Sequence, residues 1–182
     1  RPRDWSSDVC SSDLTGEAEF DEVFFTDVEV PADHLLGPLH GGWGVGMAVL
    51  TSERGHIGTS VIGLDRRLEA MARLAEGREL GTVERDRLTR LLATGQAYKA
   101  MARRQGPIAS TAASLMKLGI TEMMFDTAML RGDLSGPDSL LEGGEAFGML
   151  AAPGGRIAGG TSQVQRNIIG ERLLGLPREP KA

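Results

Sequence analysis

The sequence predicts a mainly α-helical protein, an antiparallel helix bundle with a short run of strand ahead of it. Three observations carry this. From about residue 45 to residue 131 the apolar residues recur at helical spacing. The helical segments are joined by short connections bearing Gly or Pro, at residues 77–81, 106–107 and 135–137, the lengths that make neighbouring helices antiparallel. Aromatic residues are only 4 % of the 182, so the core must rest on Leu, Ile, Val, Met and Ala, a mixture that favours helices.

Residues 1–14 are polar, rich in Ser and Asp, and without period. They resemble a translated sequencing adapter and are set aside from the fold. Residues 20–30 read as a strand, with Phe24, Thr26, Val28 and Val30 on one parity and Pro31 as the stop. A lone strand cannot satisfy its own ladder, which points to missing partners and to a chain that is a fragment. Residues 31–44 are a loop punctuated by Gly37, Pro38, Gly41 and Gly42.

Residues 45–75 read as helix. Leu50, Ile57, Val61, Leu64 and Leu68 form its apolar stripe, and Glu53 falls on that stripe with Arg54 about 100° round the helix. A carboxylate on an apolar stripe is seldom there without a partner or a task. Thr82 is placed to cap a second helix with core face Leu88, Leu91, Leu92 and Tyr98, weakened at Gly95. Pro107 opens a third helix running to about residue 131 through Leu115, Leu118, Phe125 and Ala128, and a short helix is expected over residues 138–150.

The last segment is the most specific. Gly154, Gly155, Gly159 and Gly160 read as a flexible turn whose backbone a ligand can approach closely. Thr161 and Ser162 are N-cap residues, and Ser162 with Gln165 fits a capping box. Val164, Ile168 and Ile169 give an apolar face, and Gly175 followed by Pro177 is a stop. The arrangement serves an ordinary capped helix or a site for an anion or polar cofactor edge.

The run Gly159-Gly160-Thr161-Ser162-Gln163-Val164-Gln165-Arg166-Asn167-Ile168-Ile169-Gly170-Glu171-Arg172 resembles the C-terminal signature of acyl-CoA dehydrogenases. A second match runs from Phe20 through Leu35-Leu36-Gly37, Gly41-Gly42-Trp43-Gly44 and Ser52-Glu53-Arg54. The resemblance covers the C-terminal half of a family member. It implies three segments: the adapter-like residues 1–14, the end of a middle β domain with linker at 15–40, and a C-terminal four-helix-type bundle domain at 41–182.

Composition excludes other classes. Net charge is −5, which offers nucleic acid no electrostatic footprint. No run of 18 apolar residues indicates a membrane span, no secretory signal is visible, and a cytoplasmic location is expected. Cys10 stands alone, and His34, His40 and His56 have no metal-ligand spacing on one helix, so no metal is expected.

The family resemblance implies FAD-dependent α,β-dehydrogenation of an acyl-CoA thioester, of the kind that serves fatty acid β-oxidation. A carboxylate removes the α-proton, and the β-hydride passes to flavin. Many members carry the base as Glu in Tyr-Glu-Gly-Thr; the matching residues here are Ala158-Gly159-Gly160-Thr161, so Gly159 stands where that Glu would be. Others, of the isovaleryl and long-chain kind, carry it just before an Arg on the first bundle helix, and here that is Glu53. Glu53 is therefore the expected catalytic base and Arg54 its supporter, with a structural Glu53–Arg54 pair as the competing reading. Burial raises the pKa of such a carboxylate and a neighbouring Arg lowers it. The backbone N–H of Gly159 is a candidate donor to the thioester oxygen, and Thr161, Ser162 and Gln163 match flavin-contacting positions.

Implied partners are the acyl-CoA, electron-transfer flavoprotein or a similar acceptor, and further subunits, as a homotetramer built as a dimer of dimers or as a heteromer with a related chain. Two departures from the family pattern bear on cofactor contact across the subunit interface and open the heteromeric reading. The Arg-x-x-Phe-Gly motif expected after the first bundle helix is absent from residues 76–81, and Leu141-Glu142-Gly143-Gly144 is only an echo of Gln-x-x-Gly-Gly-x-Gly. The alternatives are thus a non-catalytic partner subunit or, from another class, a flavin-free helical interaction module. By itself the fragment is expected to be inactive.

Overall fold

A computed structural model of the chain describes residues 14–16, 26–59, 61–103 and 109–178; the side chains of residues 51, 53–59, 61–62 and 109–112 also fall outside the description. The helices are α1 (Gly42–Thr59), α2 (Val61–Ala75), α3 (Thr82–Ala102), α4 (Ala109–Ser135), α5 (Gly144–Ile157) and α6 (Ser162–Ile168). Among the described residues there is no strand. Residues 26–30 of the expected strand carry no ladder with any described residue, and residues 17–25 are outside the described set.

Side-chain pairs fix the helix directions. Asp65 near the start of α2 pairs with Lys99 near the end of α3. Arg87 near the start of α3 pairs with Asp133 near the end of α4. Arg131 near the end of α4 holds Glu145 at the start of α5, with Nε 2.8 Å from Oε2. Helices α2 and α3, and α3 and α4, are therefore antiparallel, and so are α4 and α5, because Arg156 near the end of α5 pairs with Glu122 further back on α4.

Helix α4 is the centre of the bundle: α1, α2, α3, α5 and α6 all touch it. The predicted face of Leu115, Leu118, Phe125 and Ala128 is only half-buried, and the buried residues are Ser114, Met116, Lys117, Ile120, Thr121, Met123, Leu130 and Gly132. The reason is geometric. A helix with neighbours on several sides has no single apolar stripe, so a one-face reading of its period misses what is inside.

The apolar core joins Leu64, Leu68 and Met71 of α2, Leu88 and Leu91 of α3, and Met123 and Leu130 of α4. Leu50, predicted on the same stripe as Leu64 and Leu68, is 46 % exposed. Helix α1 lies chiefly along α4, whereas α2 lies against both α3 and α4, so the stripe is covered only on α2. Ile57 and Val61 have side chains outside the described set.

Gly95 does not weaken α3 in the way its helix propensity implies. A Cβ there would stand 2.6 Å from both Cδ atoms of Leu68, so the missing side chain is the seat of a core leucine. Gly119 plays the same part on α4, where a Cβ would lie 1.9 Å from Tyr98 Cζ. Burial, and next the negative charge of Glu122, raise the Tyr98 phenol above its ordinary pKa.

Several element boundaries differ from the expected ones: α1 begins at Gly42, inside the expected loop, and α4 runs on to Ser135. Gly81 in extended conformation is the N-cap of α3, so Thr82 is its first helical residue. Residues 138–150 are not one helix: a 3-10 turn, Gly136–Leu140, is followed by α5. Gly143 and Gly144, at φ 85° and 50°, interrupt the path between them in a region only glycine enters freely. Gly154 and Gly155 belong to α5, which leaves Gly159 and Gly160 as the turn proper.

The Arg131–Glu145 pair makes acid stability testable. Hydrogen bonding to Arg131 is the largest influence on Glu145, and it holds the carboxyl below its ordinary pKa. The folded state therefore binds that proton less readily than the unfolded chain. The stabilisation is present above the ordinary glutamate pKa and is lost as pH falls through the lower, folded value. Glu145→Gln is expected to lower the neutral plateau, to leave stability in strong acid, where Glu145 is protonated, nearly unchanged, and so to flatten the acid limb. The pair is partly solvated, which keeps the change modest. Urea midpoints measured between pH 3 and pH 7 check this.

Candidate active site: the turn before the last helix

Gly159 and Gly160 take φ values of 63° and 97°, left-handed conformations that L side chains rarely adopt. Gly160 is required twice over, because a Cβ on it would also stand 2.7 Å from Gln165 Nε2. Thr161 is the N-cap of α6, its Oγ1 accepting from the Val164 N–H at 3.2 Å. Ser162, the expected cap of a Ser162–Gln165 box, is the first helical residue instead. Its hydroxyl is buried and donates to Glu122 Oε1 at 2.7 Å. The box fails because Ser162 turns to Glu122 on α4 and Gln165 turns back to the carbonyls of the turn.

Those partners form a buried polar layer between α4 and the turn. Lys117 and Gln165 are both 0 % exposed. Lys117 Nζ donates to the Gly160 carbonyl at 2.7 Å. Gln165 Nε2 donates to the Gly159 carbonyl at 3.1 Å and to that of Gly160 at 3.4 Å. Gln165 Oε1 is buried with no hydrogen-bond partner. Burial pulls the Lys117 ammonium below its ordinary pKa, and the Glu122 charge opposes that pull.

Glu122 is the electrostatic anchor of this layer. It accepts from Ser162, pairs with Arg156 at 2.9 Å, and lies 3.4 Å from the Arg166 guanidinium. Arg156 also sits 4.6 Å above the Phe125 ring centroid, a cation–π contact. One carboxylate on α4 thus ties the end of α5 to the start of α6 and sets where the intervening turn lies. The last apolar face is less buried than expected: Val164 is exposed, and Ile168 and Ile169 are half-buried. Helix α6 passes into a single wider turn, Ile169–Leu173.

The expected site residues fall in two groups. Glu53 and Arg54 lie on α1, and their side chains are outside the described residues, as is that of His56. Gly159, Thr161, Ser162 and Gln163 come together on the turn and the first residues of α6. Sequence reasoning missed Lys117, Glu122 and Gln165. A signal existed for two of them: Lys117 and Glu122 are the charged residues of a largely apolar run from Leu115 to Phe125. Among the described residues no cluster of His, Cys, Asp and Glu is placed to hold a metal ion, and no helix is long and apolar enough to cross a membrane.

Residues 40–174, more than half of the chain, match the family model described as acyl-CoA dehydrogenase, C-terminal domain. The chain belongs to the acyl-CoA dehydrogenase family. Its helical bundle is the fold expected of that domain. The chain is 35 % identical to acyl-CoA dehydrogenase IpdE1 of Mycobacterium tuberculosis (strain ATCC 25618 / H37Rv), over 92 % of this chain and 47 % of the relative. It is 30 % identical to acyl-CoA dehydrogenase FadE34 of the same organism, over 91 % of this chain and 24 % of that protein. With IpdE1 of Mycolicibacterium smegmatis (strain ATCC 700084 / mc(2)155) the identity is 34 %, over 92 % and 45 %. The chain spans about half the length or less of these curated relatives.

The turn's donors suit a flavin. Thr161 Oγ1 accepts from the backbone and keeps its own proton to give. Gln163 is exposed, and two successive glycines leave the backbone approachable. Ser162 differs, since its buried hydroxyl is already committed to Glu122.

Proposed function

We propose that this chain serves as the C-terminal portion of an FAD-dependent acyl-CoA dehydrogenase that introduces an α,β double bond into an acyl-CoA thioester. The observation that carries the reading is the match to the family's C-terminal domain together with the Gly159–Gly160 turn, open on its backbone and held from below. Glu53 takes the α-proton. As the C–H bond breaks, negative charge grows on the thioester oxygen, and the Gly159 backbone N–H stabilises it there. Arg54 supports Glu53. Thr161 and Gln163 contact the cofactor through side chains, and Ser162 through its backbone. FAD, when bound, supplies the acceptor for the β-hydride.

The apolar side chains Leu36, Leu39 and Trp43 are exposed, Trp43 by 82 %. A surface of that kind calls for a cover, which further polypeptide or a neighbouring subunit would provide. The working enzyme is on this reading a cytoplasmic oligomer, a dimer of dimers or a heteromer, that passes electrons to electron-transfer flavoprotein or a similar acceptor. The missing Arg-x-x-Phe-Gly motif favours a second version, in which a related partner chain completes the cofactor site. Purifying the complete protein, assaying its flavin and adding a panel of acyl-CoAs tests the proposal. Bound flavin bleached by one of them supports it; co-purification with a second dehydrogenase chain selects the heteromer.

A further inference from the structure

We infer that Lys117 and Gln165 act together as positioning residues, a clamp on the two carbonyls of the Gly159–Gly160 turn that fixes where the turn's N–H groups aim. The inference deepens the proposed function and rests on it.

In a trans peptide the N–H points opposite the C=O of the same plane. Among the described residues every peptide bond is trans. Holding the Gly159 carbonyl therefore aims the Gly160 N–H the other way, and holding the Gly160 carbonyl aims the Thr161 N–H. Gly159 itself is then fixed between a tethered plane and the end of α5. Glycines at φ 63° and 97° have no side chains to hold them and the widest conformational freedom of any residue. Without tethers such a turn samples many peptide orientations, and a donor must be aimed to be useful to a developing charge.

The tethers are built to be rigid. Both donor side chains are wholly buried, so the Lys117 ammonium and the Gln165 amide have no water to turn to in place of these carbonyls. Lys117 reaches across from α4 and bonds at 2.7 Å, while Gln165 reaches back from α6 at 3.1 Å and 3.4 Å. Burying an amine costs stability, and one surface-exposed carbonyl would be satisfied by water at no such cost. The unpartnered Gln165 Oε1 fixes the amide's sense, because turning it over would put an acceptor against two carbonyl oxygens. Glu122 holds the flanks through Arg156 and Ser162 and does not touch the two carbonyls.

The test uses the complete enzyme and the 3-thia analogue of whichever acyl-CoA bleaches its flavin. Such an analogue can lose its α-proton, but sulfur at the β position leaves no hydride to transfer. Deuterium uptake at the α carbon, read by NMR across pH, reports how strongly the site stabilises the thioester oxygen. Lys117→Met and Gln165→Met are expected to keep their flavin, to raise the pH midpoint of α-deprotonation by about one unit, a tenfold loss, and to lower kcat more than they change KM. The double variant is expected to be little worse than the worse single one, because both act on the same turn. Should Lys117→Met fail to fold, Gln165→Met carries the test. Unchanged midpoints in variants that retain flavin would overturn the clamp while leaving the proposed function intact. A wild-type enzyme that neither binds flavin nor exchanges the α-proton would overturn the proposed function, and the clamp with it.

Discussion

Replacing Glu53 by Gln in the complete enzyme is expected to slow flavin reduction by acyl-CoA about 10²–10⁴-fold. Gln keeps the size and shape of the side chain and cannot accept a proton, so the loss isolates the base. Flavin content should stay at the wild-type level, and KM should change little, because an α-proton acceptor acts on the reacting bond and not on the bound thioester. The competing role, a structural pair with Arg54, makes a different prediction. The rate would then fall less than tenfold, and thermal stability would drop in step. Position 159 cannot substitute, since Gly159 has no side chain to take a proton. Single-turnover reduction measured without oxygen, beside a thermal melt, separates the two roles.

The second large effect is on stability. Leu130 on α4 is 0 % exposed and belongs to the cluster that unites α2, α3 and α4. Leu130→Ala removes three buried carbons and leaves a cavity where helices from several sides meet. A cost of about 2–5 kcal/mol is expected, equivalent to a fall in Tm of roughly 4–20 °C for a chain of this size. Leu174, exposed beyond the end of α6, provides the control, and its replacement by Ala should change stability by less than about 0.5 kcal/mol. Urea denaturation of both variants measures the difference. A loss below about 1 kcal/mol at Leu130 would mean that α4 is not the centre on which the bundle closes.

The helices and their antiparallel order were legible because period and punctuation are local. Gly77 with Gly81 and Ser135-Gly136-Pro137 mark where the chain must turn. What lies inside α4 was not legible. Its apolar residues are spread round the helix among Ser, Thr and charged ones, and a period of 3.6 identifies one face only when the other faces water. Gly95 shows the same limit from the other side: its propensity argues against a helix, while its value lies in the space it leaves for Leu68. At the candidate site, the family signature pointed to Gly159, Thr161, Ser162 and Gln163, which lie together on the turn and the start of α6. It said nothing of Lys117, which lies 43 residues away in sequence and meets the turn only once α4 and α6 have packed together. Long-range polar contacts of this kind leave only an indirect trace in a sequence, as a charge in an apolar run.

The account stands most directly on one spectrum. The complete protein should be purified, its visible absorbance recorded, and acyl-CoAs of varied chain added one at a time without oxygen. A bound flavin whose absorbance near 450 nm bleaches with at least one acyl-CoA is the expected result (on the order of one flavin per subunit, or per pair of unlike subunits). A protein that is folded, complete with any partner chain, and binds no flavin, or whose flavin is untouched by every acyl-CoA, would contradict it.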